Sequence, residues 1–282
     1  MLLTPTFRTL ILVWLLLFTS SVSLANVETD EADKPLIIFA ASSLTAPLQD
    51  IAKAYTVDTG QQISISFGSS SALARQLSLG APSGVFISAH KKWITWLQKN
   101  SKNVEQTPAT SIAQNGLVLA ARKDIAERLA LTRDQSWDDY LTALGSNRLI
   151  IGEPTTVPLG QYAKRYLQYN DLWGRLKDKL APARDALGAT MLLKSGQSPL
   201  AILFQSDVTT HDNLMVLKYL YWSPTSPIHY YVLPIKKPQD NERAQDNEKA
   251  QQFIDYLSED KASKLFCNHG LTAHTCANIA QP

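Results

Sequence analysis

The sequence predicts an α/β fold of two lobes, each a mostly parallel sheet flanked by helices, and three observations carry that prediction. Short apolar runs rich in branched residues alternate with segments of helical period. Serine- and glycine-rich turns join the first two runs to the helices that follow them. The chain has 282 residues, 45% hydrophobic and 18% charged, a globular composition long enough for one large core or two ordinary domains.

The elements follow in order. Residues 1–25 have the form of a cleavable secretory signal: Arg8 is their only charge, residues 10–18 are apolar, and Ser23-Leu24-Ala25 supplies small residues before Asn26. The apolar run is shorter than the ~20 residues that span a bilayer. Cleavage leaves 282 − 25 = 257 residues, with 26 basic against 25 acidic side chains once Arg8 is removed. That balance provides no field for nucleic acid or membrane, so an anion site has to be built locally. With no cysteine near the cleavage point to carry a lipid, an exported, soluble protein is expected.

After a polar leader at 26–34, Leu36-Ile37-Ile38-Phe39-Ala40 reads as a buried parallel strand. Ser43 stands at an N-cap position, and Leu44, Leu48, Ile51 and Ala52 keep helical spacing up to Gly60. The unit recurs with a strand at 63–67, a Gly68-Ser69-Ser70-Ser71 turn and a helix at 72–79. A third strand at 85–88 precedes an amphipathic helix carrying Trp93, Trp96 and Leu97. Beyond a polar stretch at 107–115, a strand at 116–121 crosses into the second lobe, where strands at 149–151 and 200–204 and helices at 161–169 and 186–195 repeat the pattern. A return strand at 228–235 and helices opening at 250–257 close the chain. The expected division is a signal at 1–25, the first lobe at 26–116 and 225–282, and the second at 117–224, with hinges near 114–118 and 223–228.

Cys267 and Cys276, with eight residues between them, are expected to form a disulfide that pins the tail of an exported chain. A Cys₂His₂ metal site with His269 and His274 is the alternative, although the spacing matches no zinc pattern. The duplicated segment at 240–251 reads as a solvated loop or helix extension. Trp93/Trp96 and Tyr219/Tyr221/Trp222 read as packing.

The serine turns carry the chemistry. Each sits where a strand gives way to a helix, so its hydroxyls and unpaired N–H groups face the C-terminal edge of the sheet, where open α/β sheets bind ligands and helix N-termini favour anions. The same serines also suit plain helix capping.

On these residues the chain resembles the periplasmic molybdate-binding proteins of ABC importers. The resemblance spans the mature sequence: Phe39-Ala40-Ala41-Ser42-Ser43-Leu44; Phe67-Gly68-Ser69-Ser70-Ser71-Ala72-Leu73-Ala74-Arg75-Gln76; Gly80-Ala81-Pro82 with Phe86-Ile87-Ser88-Ala89; Gly152-Glu153-Pro154; Val157-Pro158-Leu159-Gly160-Gln161-Tyr162; and Pro199-Leu200-Ala201-Ile202-Leu203-Phe204-Gln205-Ser206-Asp207. It implies a two-lobe periplasmic-binding-protein fold of type II, with the ligand in the interlobe cleft. It implies oxyanion donors at Ser43 and Ser70, backbone N–H donors at Leu159 and Ala186, and a side-chain donor at the position of Phe204. There this chain departs from the family's usual tyrosine; Gly84 and His90 stand where the family usually has acidic residues. The implied ligand is molybdate or tungstate, with no cofactor, and the implied partners are an inner-membrane ABC permease and its ATPase, served by a periplasmic monomer. A donor-only pocket suits a fully ionised dianion such as molybdate, tungstate or sulfate, whereas phosphate keeps a proton that needs an acceptor.

The competing class is a serine hydrolase. Gly68-Ser69-Ser70-Ser71-Ala72 is one residue from a Gly-x-Ser-x-Gly nucleophile elbow, with Asp207 and His229 in the expected chain order. Neither has a distinctive context. A P-loop, a His-Glu-x-x-His site and a Gly-x-Gly-x-x-Gly fingerprint are absent from the sequence.

Overall fold

A computed structural model describes residues 34–276, apart from 102, 103, 105, 223–227 and 236–240. The expected signal segment and the second hinge fall outside the described residues. No described helix is long and apolar enough to cross a membrane.

Among the described residues ten strands form two five-stranded sheets. The first holds β1 (Leu36–Ala41), β2 (Ile63–Gly68), β3 (Val85–Ser88), β4 (Thr110–Asn115) and β10 (Ile228–Pro234), in the order β2-β1-β3-β10-β4. The second holds β5 (Leu117–Arg122), β6 (Leu149–Gly152), β7 (Leu180–Ala183), β8 (Ala201–Phe204) and β9 (Leu214–Tyr219), in the order β7-β6-β8-β5-β9. In each sheet a single strand runs against the rest: β10 is antiparallel to β3 and β4, and β5 is antiparallel to β8 and β9. These are the two strands by which the chain changes sheet. β5 enters the second lobe directly from β4, and β10 returns to the first.

Burial explains the pattern. β1, β3, β5, β6 and β8 are nearly continuous runs of buried apolar residues, as strands covered on both faces must be. One core cluster runs through both lobes, and a second, built on Phe39, Leu73, Phe86, Trp93 and Leu97, fills the other face of the first sheet. The helix Thr45–Thr59 stops at Gly60, whose φ of 78° makes a left-handed cap. The duplicated segment lies largely within the helix Asn241–Tyr256. Cys267 and Cys276 are joined as a disulfide, so neither thiol remains for a metal, and His269 instead faces Asp50 at 3.0 Å.

Several local expectations need correction. The polar stretch before Asn115 is strand β4, an edge strand in which only Ile112 and Ala113 are apolar, too little for a strand signal. Ser43 is not an N-cap: it lies inside the 3₁₀ turn Ser42–Leu44, which follows Ala41 and has no side-chain cap. The second serine turn is already helix from Ser70, and Ser69 is its cap, accepting from the Ala72 N–H at 3.3 Å. The helix expected from residue 161 starts at Pro158, where proline's missing N–H costs nothing.

Candidate functional site

Six strand ends converge on one small pocket between the lobes. The first sheet contributes Ala41, Ser42 and Ser43 after β1, Gly68, Ser69 and Ser70 after β2, and Ala89 after β3. The second contributes Val157, Pro158 and Leu159 after β6, Ala186 after β7, and Phe204 at the end of β8. All five positions expected to contact a ligand line this one pocket. Its cavity volume is about 10 Å³, room for about one water-sized sphere and far below the ~300–1,000 Å³ of pockets for organic ligands. No lining side chain is acidic or basic, so the polarity comes from hydroxyls and backbone.

Three helices begin at the pocket wall: Ser70–Ser78, Pro158–Tyr169 and Ala186–Lys194. Leu159 and Ala186 stand in their first turns, where N–H groups have no acceptor within the helix and the macrodipole is positive. The Asp185 side chain caps the third helix through the Gly188 N–H at 2.8 Å, and Ala186 beside it lines the pocket.

Hydrogen bonding sets the direction of the Ser70 hydroxyl. Its oxygen accepts from the Ala89 N–H at 3.1 Å, so one lone pair is occupied and its own proton is left to donate. Ser42 does the same across the cleft, accepting from the Leu187 N–H at 3.3 Å. Tyr162, a residue with no sequence motif of its own, spans the lobes: its hydroxyl donates to the Ala89 carbonyl at 3.1 Å, and its ring stacks between His90 at 4.8 Å and Trp222 at 5.6 Å. Burial, and then the nearby Lys92 and Arg165, push His90 down to about 4, so the imidazole enters this stack uncharged at neutral pH.

The departures at 84 and 204 differ in consequence. Gly84 sits at the far end of β3 from the pocket, where a Cβ would collide only with the tip of the flexible Leu36 side chain, at 2.7 Å, so this departure does not touch the anion site. Phe204 lines the pocket and is buried at 1% exposure, its ring edge-on to Tyr162 and Tyr230. It supplies apolar wall and no donor.

The hydrolase constellation does not assemble. The Ser70 hydroxyl oxygen is bonded to the backbone of Ala89, His229 Nδ1 lies 2.9 Å from Ser111 Oγ, and no histidine lines the pocket. Asp207 has its Oδ2 shut in without a partner among the described residues, although part of the residue reaches solvent. Burial pushes this carboxyl up to about 8. Its folded value thus lies above the ordinary ~3.9, so the folded state keeps a proton that the unfolded chain gives up. Stability is lost as pH rises between those values, by up to ~1.4 kcal/mol per unit. Asp207→Asn is therefore expected to be progressively more stable than the parent between pH 5 and pH 8, by a few kcal/mol at most, as read by denaturant unfolding at each pH. A constant difference across that range would contradict a buried neutral acid.

Comparison with known proteins follows this geometry. The family model described as bacterial extracellular solute-binding protein matches residues 36–272. The molybdate-binding protein ModA of Escherichia coli is 32% identical over 261 residues, 92% of this chain and 98% of that protein. Among solved structures, the substrate-binding domain of a putative molybdenum ABC transporter from Clostridium difficile is 28% identical with a TM-score of 0.61, covering 85% of this chain and 99% of its own. The periplasmic molybdate-binding protein of Azotobacter vinelandii has a TM-score of 0.69 at 20% identity, over 85% of this chain and 99% of its own, and shares the two-lobe fold.

Proposed function

The chain belongs to the bacterial extracellular solute-binding proteins, and from that premise we propose that it captures molybdate in the interlobe cleft and delivers it to an ABC importer. The observation that carries the reading is the pocket's uncharged lining of hydroxyls and helix starts: Ser43 and Ser70 with Leu159 and Ala186 in first helical turns, and no acidic or basic side chain. Such a lining stabilises a full dianion through charge-assisted hydrogen bonds, which are roughly twice as strong as neutral ones, inside a cleft from which closure removes water. Tungstate has the same shape and charge and is the second ligand. Hydrogenphosphate brings a proton that the lining is not arranged to accept.

The protein acts by binding and release, without covalent chemistry and without a cofactor. The Tyr162 and Ser42 contacts across the cleft belong to the closed form, which an inner-membrane permease with its cytoplasmic ATPase would recognise by its differential affinity for the two states. The site of action is the periplasm, reached through the N-terminal signal, and the working unit is a monomer.

Calorimetric titration of the mature protein with molybdate, tungstate, sulfate and phosphate tests the reading. One-to-one binding of the first two, with sulfate and phosphate at least 100-fold weaker, is the expected result; sulfate binding equal to molybdate would redirect the assignment. In the same assay Phe204→Tyr, which adds a hydroxyl at the pocket wall, is expected to raise molybdate affinity by about tenfold.

A further inference from the structure

The Ser43 hydroxyl is held by a buried relay that begins where the chain changes lobe. Asn115 ends β4, one residue before β5 begins. Its Oδ1 accepts from two backbone N–H groups, Gly116 at 2.9 Å and Ser206 at 3.2 Å. Backbone N–H groups can only donate, so the oxygen and nitrogen of this amide are fixed by their partners. Both amide protons are then committed, one to Ser206 Oγ at 2.8 Å and the other to the Tyr230 hydroxyl oxygen at 3.0 Å. Receiving that proton, Tyr230 turns its own toward Ser43 Oγ at 2.8 Å. The members are all buried: Ser43 5%, Asn115 7%, Ser206 4% and Tyr230 0% exposed.

The relay has a direction. Each member donates to the next, and Ser43, which accepts from Tyr230 and so cannot return its proton to it, keeps that proton to donate into the pocket it lines. A ligand that failed to accept that proton would leave it buried without a partner, the costly state for a polar hydrogen. We propose that Tyr230, held by Asn115, is a positioning and specificity-determining residue that makes Ser43 a committed donor to the bound anion and thereby favours unprotonated oxyanions over hydrogenphosphate. This rests on the oxyanion reading of the cleft. The relay serves in the first lobe the purpose that the Ala89 N–H serves at Ser70, with the difference that its far end, Ser206, belongs to the second lobe. Its geometry is therefore tied to how the lobes meet, and Ser43 is set as a donor when they do.

A double-mutant cycle tests it. Wild type, Tyr230→Phe, Ser43→Ala and the double variant are titrated with molybdate, tungstate, sulfate and phosphate, and thermal unfolding is followed for each. Loss of the Tyr230 hydroxyl is expected to weaken molybdate binding by ~3–10-fold and to narrow its ratio to phosphate. In the Ser43→Ala background the same change is expected to alter affinity by less than ~twofold, because its effect passes through Ser43. Lowered thermal stability alone does not distinguish a structural tyrosine, but the coupling does. Unchanged affinity in Tyr230→Phe, or an equal loss with and without Ser43, would overturn the proposal. If the wild type binds another of the oxyanions but not molybdate, the molybdate assignment fails and the cycle is read with the ion that binds; silence with all four overturns both.

Discussion

Replacing Ser43 and Ser70 together by alanine is expected to weaken molybdate binding by roughly 10²–10⁴-fold while leaving the secondary structure in place. On the proposed reading each hydroxyl donates to the bound dianion, and hydrogen bonds to charged groups contribute about 1.5–3 kcal/mol apiece. Two of them sum to about 3–6 kcal/mol, at 1.4 kcal/mol per factor of ten. The fold is weakened by a comparable amount. Ser43→Ala leaves the Tyr230 proton without its acceptor, and Ser70→Ala orphans the Ala89 N–H, each costing about 1–3 kcal/mol as a buried unsatisfied group. Titration measures the first effect, and circular dichroism with thermal unfolding the second. A double variant that unfolds less easily than the parent or binds within tenfold of it would show that the hydroxyls are spectators.

Gly160→Ala is the second large effect, and it acts through the backbone. Gly160 lies in the first turn of Pro158–Tyr169, against the end of β6, where a Cβ would collide with the carbonyl oxygens of Gly152 and Glu153. The approach is reciprocal, since a Cβ on Gly152 would stand 2.6 Å from the Gly160 nitrogen. No flexible side chain is available to yield, so the helix start has to back away from the strand. Overpacking of this kind costs about 1–3 kcal/mol and sometimes more. The displaced segment carries the pocket-lining Leu159, the proposed N–H donor, and molybdate affinity is expected to fall at least ~tenfold alongside the melting temperature. Loss of stability with unchanged affinity would mean that the Leu159 N–H takes no part in binding.

Much of the first lobe was legible because its signals are local. Leu36-Ile37-Ile38-Phe39-Ala40 is apolar on both faces, the helix after it ends at a glycine with positive φ, and the turns that follow β1 and β2 are rich in serine. The five residues taken from family resemblance were brought to one pocket because each follows or ends a strand, and strand ends on the same edge of two facing sheets meet. What escaped was tertiary. β4 carries only the adjacent apolar pair Ile112-Ala113 among polar residues, and nothing in its composition separates it from a loop. Ser43 looks like a cap because serine commonly is one; that its oxygen is instead paired to a tyrosine 187 residues away depends on β10 inserting between β3 and β4. Asn115 and Tyr230 carry no motif, and the pair at Tyr230-Tyr231 next to His229 offered only an aromatic cluster. Tyr162 did have a signal: it falls three residues after Leu159 on a helix whose start faces the cleft, the spacing that returns a side chain to the same face.

A crystal structure of the mature protein with molybdate, with anomalous scattering recorded at the molybdenum edge, tests the central claim most directly. The account predicts one strong peak between the lobes, with its oxygens within about 3.2 Å of Ser43 Oγ, Ser70 Oγ and the backbone nitrogens of Leu159 and Ala186, and no oxygen bonded at Phe204. A peak held elsewhere on the molecule, or an empty cleft in crystals grown at saturating molybdate, would contradict it.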